Sequence, residues 1–262
     1  MIPFLFNHSF FLFTKFCSKK SLAVMTKRTT ALLTFLAATC FYFCKLEETA
    51  QTYFDSAVKK EGLGDKAGAM QDYNRAIELN PNFALAFNNR GVLKEDGNKA
   101  GAMQDYNRAI ELNPNFASAF NNRGFLKDNL GDKAGAMQDY NRAIELNPNY
   151  ALAFNNRGVL KKDLGDKAGA MQDFNRAIEL NPNSALTFNN RGPLKEDLGD
   201  KAGAMQDYNR AIELNPNYAI AYDNRALLEK ERGNMKNACA DWSKAVELGI
   251  VEAYEEIKRY CK

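Results

Sequence analysis

The sequence predicts an all-α solenoid built of stacked helical hairpins. Three observations predict it. The segment KAGAMQDYNRAIELNPN, or a near copy, appears five times, with its methionine at Met70, Met103, Met137, Met171 and Met205. The spacing is 33 residues once and 34 thereafter, and 34 residues further on stands Cys239, in the divergent sixth copy NACADWSKAVELG. Each unit holds two apolar patterns at helical spacing, separated by turn residues.

The units run 50–83, 84–116, 117–150, 151–184, 185–218 and 219–252, in a repeat body of 46–252. A position below is the place within a unit, counted from its first residue. Helix A is expected near positions 2–14 and helix B near 17–30. In the third unit Gly131 supplies the residue that ends helix A, and Asp132 supplies the N-cap of helix B. Pro148 ends helix B, because the residue before a proline is pushed out of the α region. The second unit reads KEDGNKA where the fifth reads KEDLGDKA, and the missing leucine predicts a shortened last turn. Pro193 lies inside helix A of the fifth unit and predicts a kink or a local 3₁₀ turn over 189–193. Residues 253–262 form an amphipathic pattern suited to capping the open end of the last repeat.

Helix B carries a small residue, an aromatic four later, a small residue three later and then a proline. In the third unit these are Ala136, Tyr140, Ala143 and Pro148; in the first, Ala69, Tyr73, Ala76 and Pro81. The sixth unit keeps Ala238, Trp242 and Ala245. Helix A places an aromatic such as Phe120 four residues before a small residue such as Gly124. This pattern at this period resembles the tetratricopeptide repeat (TPR) family over about 50–252. The resemblance implies a right-handed superhelix with a C-terminal capping helix. It also implies protein partners and a concave groove lined by helices A. Two ranks depart from the family pattern. Arg90, Arg123, Arg157, Arg191 and Arg225 stand where Leu is usual, and Lys94 and its equivalents stand where Tyr is usual. The arginines lie toward the packing side, where a helix B carboxylate such as Asp139 or Glu145 is the expected partner.

Composition narrows the chemistry. Residues 1–45 hold six basic and no acidic residues; the remainder holds 29 basic and 32 acidic. The basic character therefore belongs to the leader, and a body without a basic stripe argues against nucleic-acid binding. The single histidine, His8, is in the leader. No histidine-assisted nucleophile or histidine-ligated zinc can be built in the body. Carboxylates, amides and lysines recur with the period and form no unique cluster, so no enzyme, cofactor or metal is expected. Cys239 and Cys261 could bridge in an oxidising compartment, and their pairing stays open at this stage.

Residues 1–45 form a hydrophobic, basic leader. From Met25, which could be the true start, Lys27 and Arg28 precede an apolar run over 31–44. This pattern fits a signal peptide or an uncleaved N-terminal anchor, with a cytosolic extension as the alternative. Either of the first two readings places the body in a secreted or periplasmic location, or holds it at a membrane by the leader alone.

The arc of helix A opposite its packing face carries positions 2, 5, 6, 9, 12 and 13. Position 2 includes Leu85 and Leu152; position 9 includes Val92, Phe125 and Val159. Position 5 is Asn88, Asn121, Asn155 and Asn189, with Asp223 in the last unit. Position 6 is Asn89, Asn122, Asn156, Asn190 and Asn224. Positions 12 and 13 are mostly acidic. An amide both donates and accepts, so a rank of Asn can pair with a peptide backbone of any sequence. The position 6 rank is similar to an asparagine ladder in the family that contacts substrate backbone. These residues are the candidate contacts for an extended protein or peptide ligand, one containing Lys or Arg if the acidic margin selects it. On this reading, Ala at all five position 6 sites abolishes capture and leaves melting nearly unchanged. Two bland readings stand beside it: the Asn residues bond only each other, or the repeats serve assembly of a membrane or envelope complex through stacking or self-association.

Overall fold

The structure is a computed structural model that describes residues 49–261. The leader, with the signal, anchor and extension readings placed on it, lies outside the described residues. Thirteen α-helices form among the described residues. The chain divides into two compact units at Pro114.

The first unit holds two hairpins. Helix α1 covers 49–62 and pairs with α2 (Lys66–Leu79); α3 (Ala84–Lys94) pairs with α4 (Lys99–Leu112). Helix α3 has 11 residues where every later helix A has 13, so the lost leucine of unit two does shorten the helix. The left-handed glycine is absent there too: Gly64 has φ 81°, whereas Gly97 has no positive φ.

The second unit holds four hairpins and a final helix. They are α5 (Ala117–Asn129) with α6 (Lys133–Leu146), α7 (Ala151–Asp163) with α8 (Lys167–Leu180), α9 (Ala185–Asp197) with α10 (Lys201–Leu214), and α11 (Ala219–Glu231) with α12 (Met235–Glu247). Helix α13 (Ala253–Tyr260) closes the stack against α12. Consecutive hairpins pack on each other, and successive A helices touch. The turns inside the first three of these hairpins follow one recipe. Gly131 takes φ 86°, which only glycine adopts without strain, and Asp132 accepts from the Gly135 N–H at 2.8 Å.

The core is itself periodic. Ala136 and Tyr140 of one repeat pack with Leu160 of the next; Ala170 and Phe174 pack with Leu194; Ala204 and Tyr208 pack with Leu228. These side chains are at most 1 % exposed. Burying a leucine or an aromatic of this kind contributes roughly 1.5–3 kcal/mol. Each ring rests on a glycine: a Cβ added at Gly124 would sit 2.9 Å from the Tyr140 ring. The glycine therefore gives up helix propensity to let helix B approach.

The local 3₁₀ turn expected at Pro193 is absent. Helix α9 runs unbroken through it over the same 13 residues as its neighbours. It is packed against α7, α8, α10 and α11, and this packing supports the helix where the proline removes a backbone donor.

The last repeat is closed by several independent contacts. Ala253 and Ile257 of α13 pack on the Trp242 cluster, and Tyr260 stacks on the Trp242 ring at 6.1 Å. Lys230 pairs with Glu256 at 3.1 Å. Cys239 and Cys261 are joined in a disulfide.

Candidate partner-binding face

The arginine rank forms a network inside each hairpin. Arg123 donates twice to Asp139, at 2.8 and 2.7 Å, and Lys127 meets the same carboxylate at 2.8 Å. The arrangement repeats at Arg157, Lys161 and Asp173, and at Arg191, Lys195 and Asp207. It also occurs in the first unit, at Arg90, Lys94 and Asp105. Each of these aspartates is buried, so its charge is tolerated only because two cations, one of them a bidentate guanidinium, surround it. The guanidinium also lies over the aromatic at position 4, 5.4 Å from the Phe120 centroid. The two departures from the family pattern, Arg and Lys, thus replace an apolar contact by a buried ion cluster in four of the six hairpins.

The asparagine ranks form a ladder. Asn155 donates to Asn156 at 3.1 Å, and Asn156 donates back across the repeat to Asn121 at 3.1 Å. Asn190 donates to Asn155, and Asn224 to Asn189, at 3.1 and 3.0 Å. In the first unit Asn88 donates to Asn89, which donates to the Tyr73 hydroxyl. Position 5 is the buried side of this ladder: Asn88, Asn121, Asn155 and Asn189 are 2–6 % exposed. Their assignment to the open groove face is therefore corrected. A helix carries about 100° per residue, and position 5 falls just far enough round to be covered by the next helix A. The position 6 residues Asn89, Asn122, Asn156, Asn190 and Asn224 are half-buried.

The apolar positions stand out most. Leu85, at 47 %, and Val92, at 40 %, are exposed in the first unit. In the second unit the exposed set is Phe125, Leu152, Leu186, Ile220 and Leu227, at 39–47 %. Val159 is the exception among the candidates, because it packs partly against the Phe174 cluster. Two turns of α3 and of α11 therefore present a leucine or isoleucine at position 2, a half-buried amide at position 6 and a second apolar group at position 9, while α5, α7 and α9 expose one large apolar side chain each.

The acidic margin is largely paired. Tyr106 donates to Glu95 and Tyr208 to Glu196. Asp96 meets Lys66 at 2.9 Å, Asp128 meets Lys133 at 2.7 Å, and Glu231 meets Lys201 at 2.9 Å. Burial pushes the Glu95 and Glu196 carboxyls above the usual carboxylate range, against the opposing effect of the tyrosine hydroxyl. Burial likewise pushes the Tyr73 hydroxyl up to about 12. The aromatic at position 24 follows the residue at position 12. Where position 12 is lysine, as at Lys162 and Lys230, position 24 is Phe174 or Trp242 and offers no hydroxyl. Position 5 also changes in the last repeat: burial raises the Asp223 carboxyl, and Trp242 partly offsets this.

Among the described residues no group of three or more His, Cys, Asp or Glu side chains could hold a metal ion. No described helix is long and apolar enough to cross a membrane.

Tandem hairpins with a periodic core and a repeated exposed face define a helical-repeat protein. The chain belongs to the tetratricopeptide repeat family. A TPR repeat model matches residues 63–97, 92–131 and 129–165, and tetratricopeptide repeat models match 151–184 and 186–218. No curated protein sequence matches it. Similar folds occur in solved structures. In the anaphase-promoting complex (APC/C) hetero-tetramer Cut9–Hcn1, a chain matches with a TM-score of 0.76 at 19 % identity, over 82 % of this chain and 43 % of that one. The Pseudomonas aeruginosa protein pilF matches with a TM-score of 0.69 at 19 % identity, over 82 % of this chain and 99 % of that one. YrrB, described as a TPR protein with an unusual peptide-binding site, matches with a TM-score of 0.50 at 22 % identity, over 71 % and 97 %. Identities this low establish the fold, and this chain spans less than half of the APC/C chain.

Proposed function

We propose that the protein is a non-enzymatic scaffold whose second unit holds an extended segment of a partner protein along its A helices. One observation carries this reading. An exposed large apolar side chain recurs at position 2 or 9 of each successive A helix, where a helical-repeat core leaves no reason for it. Leu152, Leu186 and Ile220 form one line, with Phe125 and Leu227 beside it. An extended strand presents side chains on alternate faces, so one side can meet this line while its backbone lies against the half-buried amides at position 6. The ladder fixes the rotamers of those amides, which lowers the entropy lost on binding. The peptide-binding site named for YrrB and the assembly named for Cut9–Hcn1 agree with a protein partner.

The Cys239–Cys261 disulfide supports an extracytoplasmic location reached through the leader, because such bonds persist in oxidising compartments. The paired margin weakens the case for a Lys- or Arg-selective groove. Selection of binding peptides from a random display library tests the proposal. The selected peptides are expected to bind the wild-type chain and to lose at least tenfold in affinity for Leu152→Ser/Leu186→Ser/Ile220→Ser, about 1.4 kcal/mol or more. Undiminished binding by that variant contradicts it.

A further inference from the structure

Five of the six hairpins share one internal ion pair. The lysine at position 11 of helix A places its ammonium against the aspartate at position 23, or 22 in the shortened second unit: Lys60–Asp72 at 2.6 Å, Lys94–Asp105, Lys127–Asp139 and Lys161–Asp173 at 2.8 Å, and Lys195–Asp207 at 3.0 Å. The sixth hairpin lacks it. Position 11 there is Glu229, whose carboxylate accepts from Asn234 Nδ2 at 2.6 Å. Asp241 keeps the arginine fork from Arg225 and has no lysine. Its side chain is 11 % exposed, against 4–5 % for Asp105, Asp139, Asp173 and Asp207.

The vacated place is open. A cavity of about 310 Å³ is bordered by Glu229, Asp241, Asn209, Asn237 and Ala240. Two of its walls differ from every other repeat. Ala240 stands where the earlier units have Gln71, Gln104, Gln138, Gln172 and Gln206, and Asn237 stands where they have glycine. Two carboxylates therefore border a cleft that holds one guanidinium, and Asn209 Oδ1 already accepts from that guanidinium at 2.7 Å.

We infer that this cleft is a receptor for the ammonium of a lysine side chain from a protein partner, seated where the other hairpins seat their own. Five copies in the same chain show the geometry that such a group adopts against this aspartate. The ligand is a primary ammonium on a flexible stem, because the native occupant is one. The site belongs to the faces of α10, α11 and α12 and shares no residue with the apolar line of the A helices, so its failure leaves the groove proposal standing.

The test titrates the disulfide-bonded full chain with Nα-acetyl-lysine methylamide and follows the Asn209, Asn237 and Glu229 resonances by NMR. The expected result is saturable shifts confined to these residues, absent with the Nε-acetylated probe and absent with the same concentration of potassium chloride. Glu229→Lys, which supplies the missing ammonium from within, is expected to weaken binding at least tenfold. Ala240→Gln, which refills the cleft without changing charge, is expected to do the same and serves if the first variant fails to fold. No saturable shift in the wild type, an equal shift from potassium chloride or the acetylated probe, or undiminished binding by a folded variant overturns the inference.

Discussion

Gly192 shows how far single residues are set by their neighbours. A Cβ placed there would lie 2.3 Å from the Tyr208 ring, and that ring is 1 % exposed with no room to retreat. Gly192→Ala gains about 1 kcal/mol of helix propensity. It is nonetheless expected to destabilise, because overpacking a tight core costs roughly 1–3 kcal/mol. Urea unfolding checks the sign. Glu95 and Glu196 supply a second test at this scale. Their carboxyls are raised by burial, so protonation favours the folded state. That contribution is complete below the unfolded-state value and is lost as pH rises through the folded one. Glu95→Gln/Glu196→Gln removes both titrations and keeps an acceptor for the tyrosines. Its stability should therefore fall less than that of the wild type as pH rises through and above the ordinary carboxylate range. Equal pH profiles for the two proteins would exclude these groups as the source.

At the scale of elements, the asparagine ladder reverses one expectation. Because Asn156, Asn190 and Asn224 satisfy the buried Asn121, Asn155 and Asn189, their replacement by Ala leaves buried amides without those donors. Each loss costs about 1–3 kcal/mol. The triple variant should therefore melt lower, and a binding defect in it would not by itself identify a contact. The disulfide makes the other element-scale prediction. Reduction, or Cys261→Ser, releases a loop of sequence separation 22 and should cost about 2–4 kcal/mol. Hydrogen exchange should show the loss first in α13, whose other anchors are the Trp242 cluster and the Lys230–Glu256 pair. Hairpins, caps and the shortened α3 could all be read from the sequence, because period, glycine and proline act locally. The burial of position 5 could not. Positions 5 and 6 differ by one residue and carry the same amide, and only the approach of the neighbouring helix A separates them. The 3₁₀ expectation at Pro193 failed for a related reason: the proline's backbone cost is local, while the four helices packed around α9 are not.

At the scale of the whole molecule, repetition explains both what is built and what can be recognised. A near-identical unit repeats its ion cluster, its ladder and an exposed apolar side chain, so function has to come either from the row or from the places where the row is broken. The second unit offers the row at Leu152, Leu186 and Ile220, and the break at Glu229 and Asp241. The break was visible in the sequence as a Lys-to-Glu change at position 11. Its meaning needed the five intact pairs, which fix where the ammonium belongs. The most direct test of the scaffold reading is a hydrogen-exchange map of the chain with a display-selected peptide bound. Protection concentrated on α7, α9 and α11, and lost with Leu152→Ser/Leu186→Ser/Ile220→Ser at unchanged melting temperature, is the predicted result; protection confined to the B helices, or retained by that variant, would contradict it.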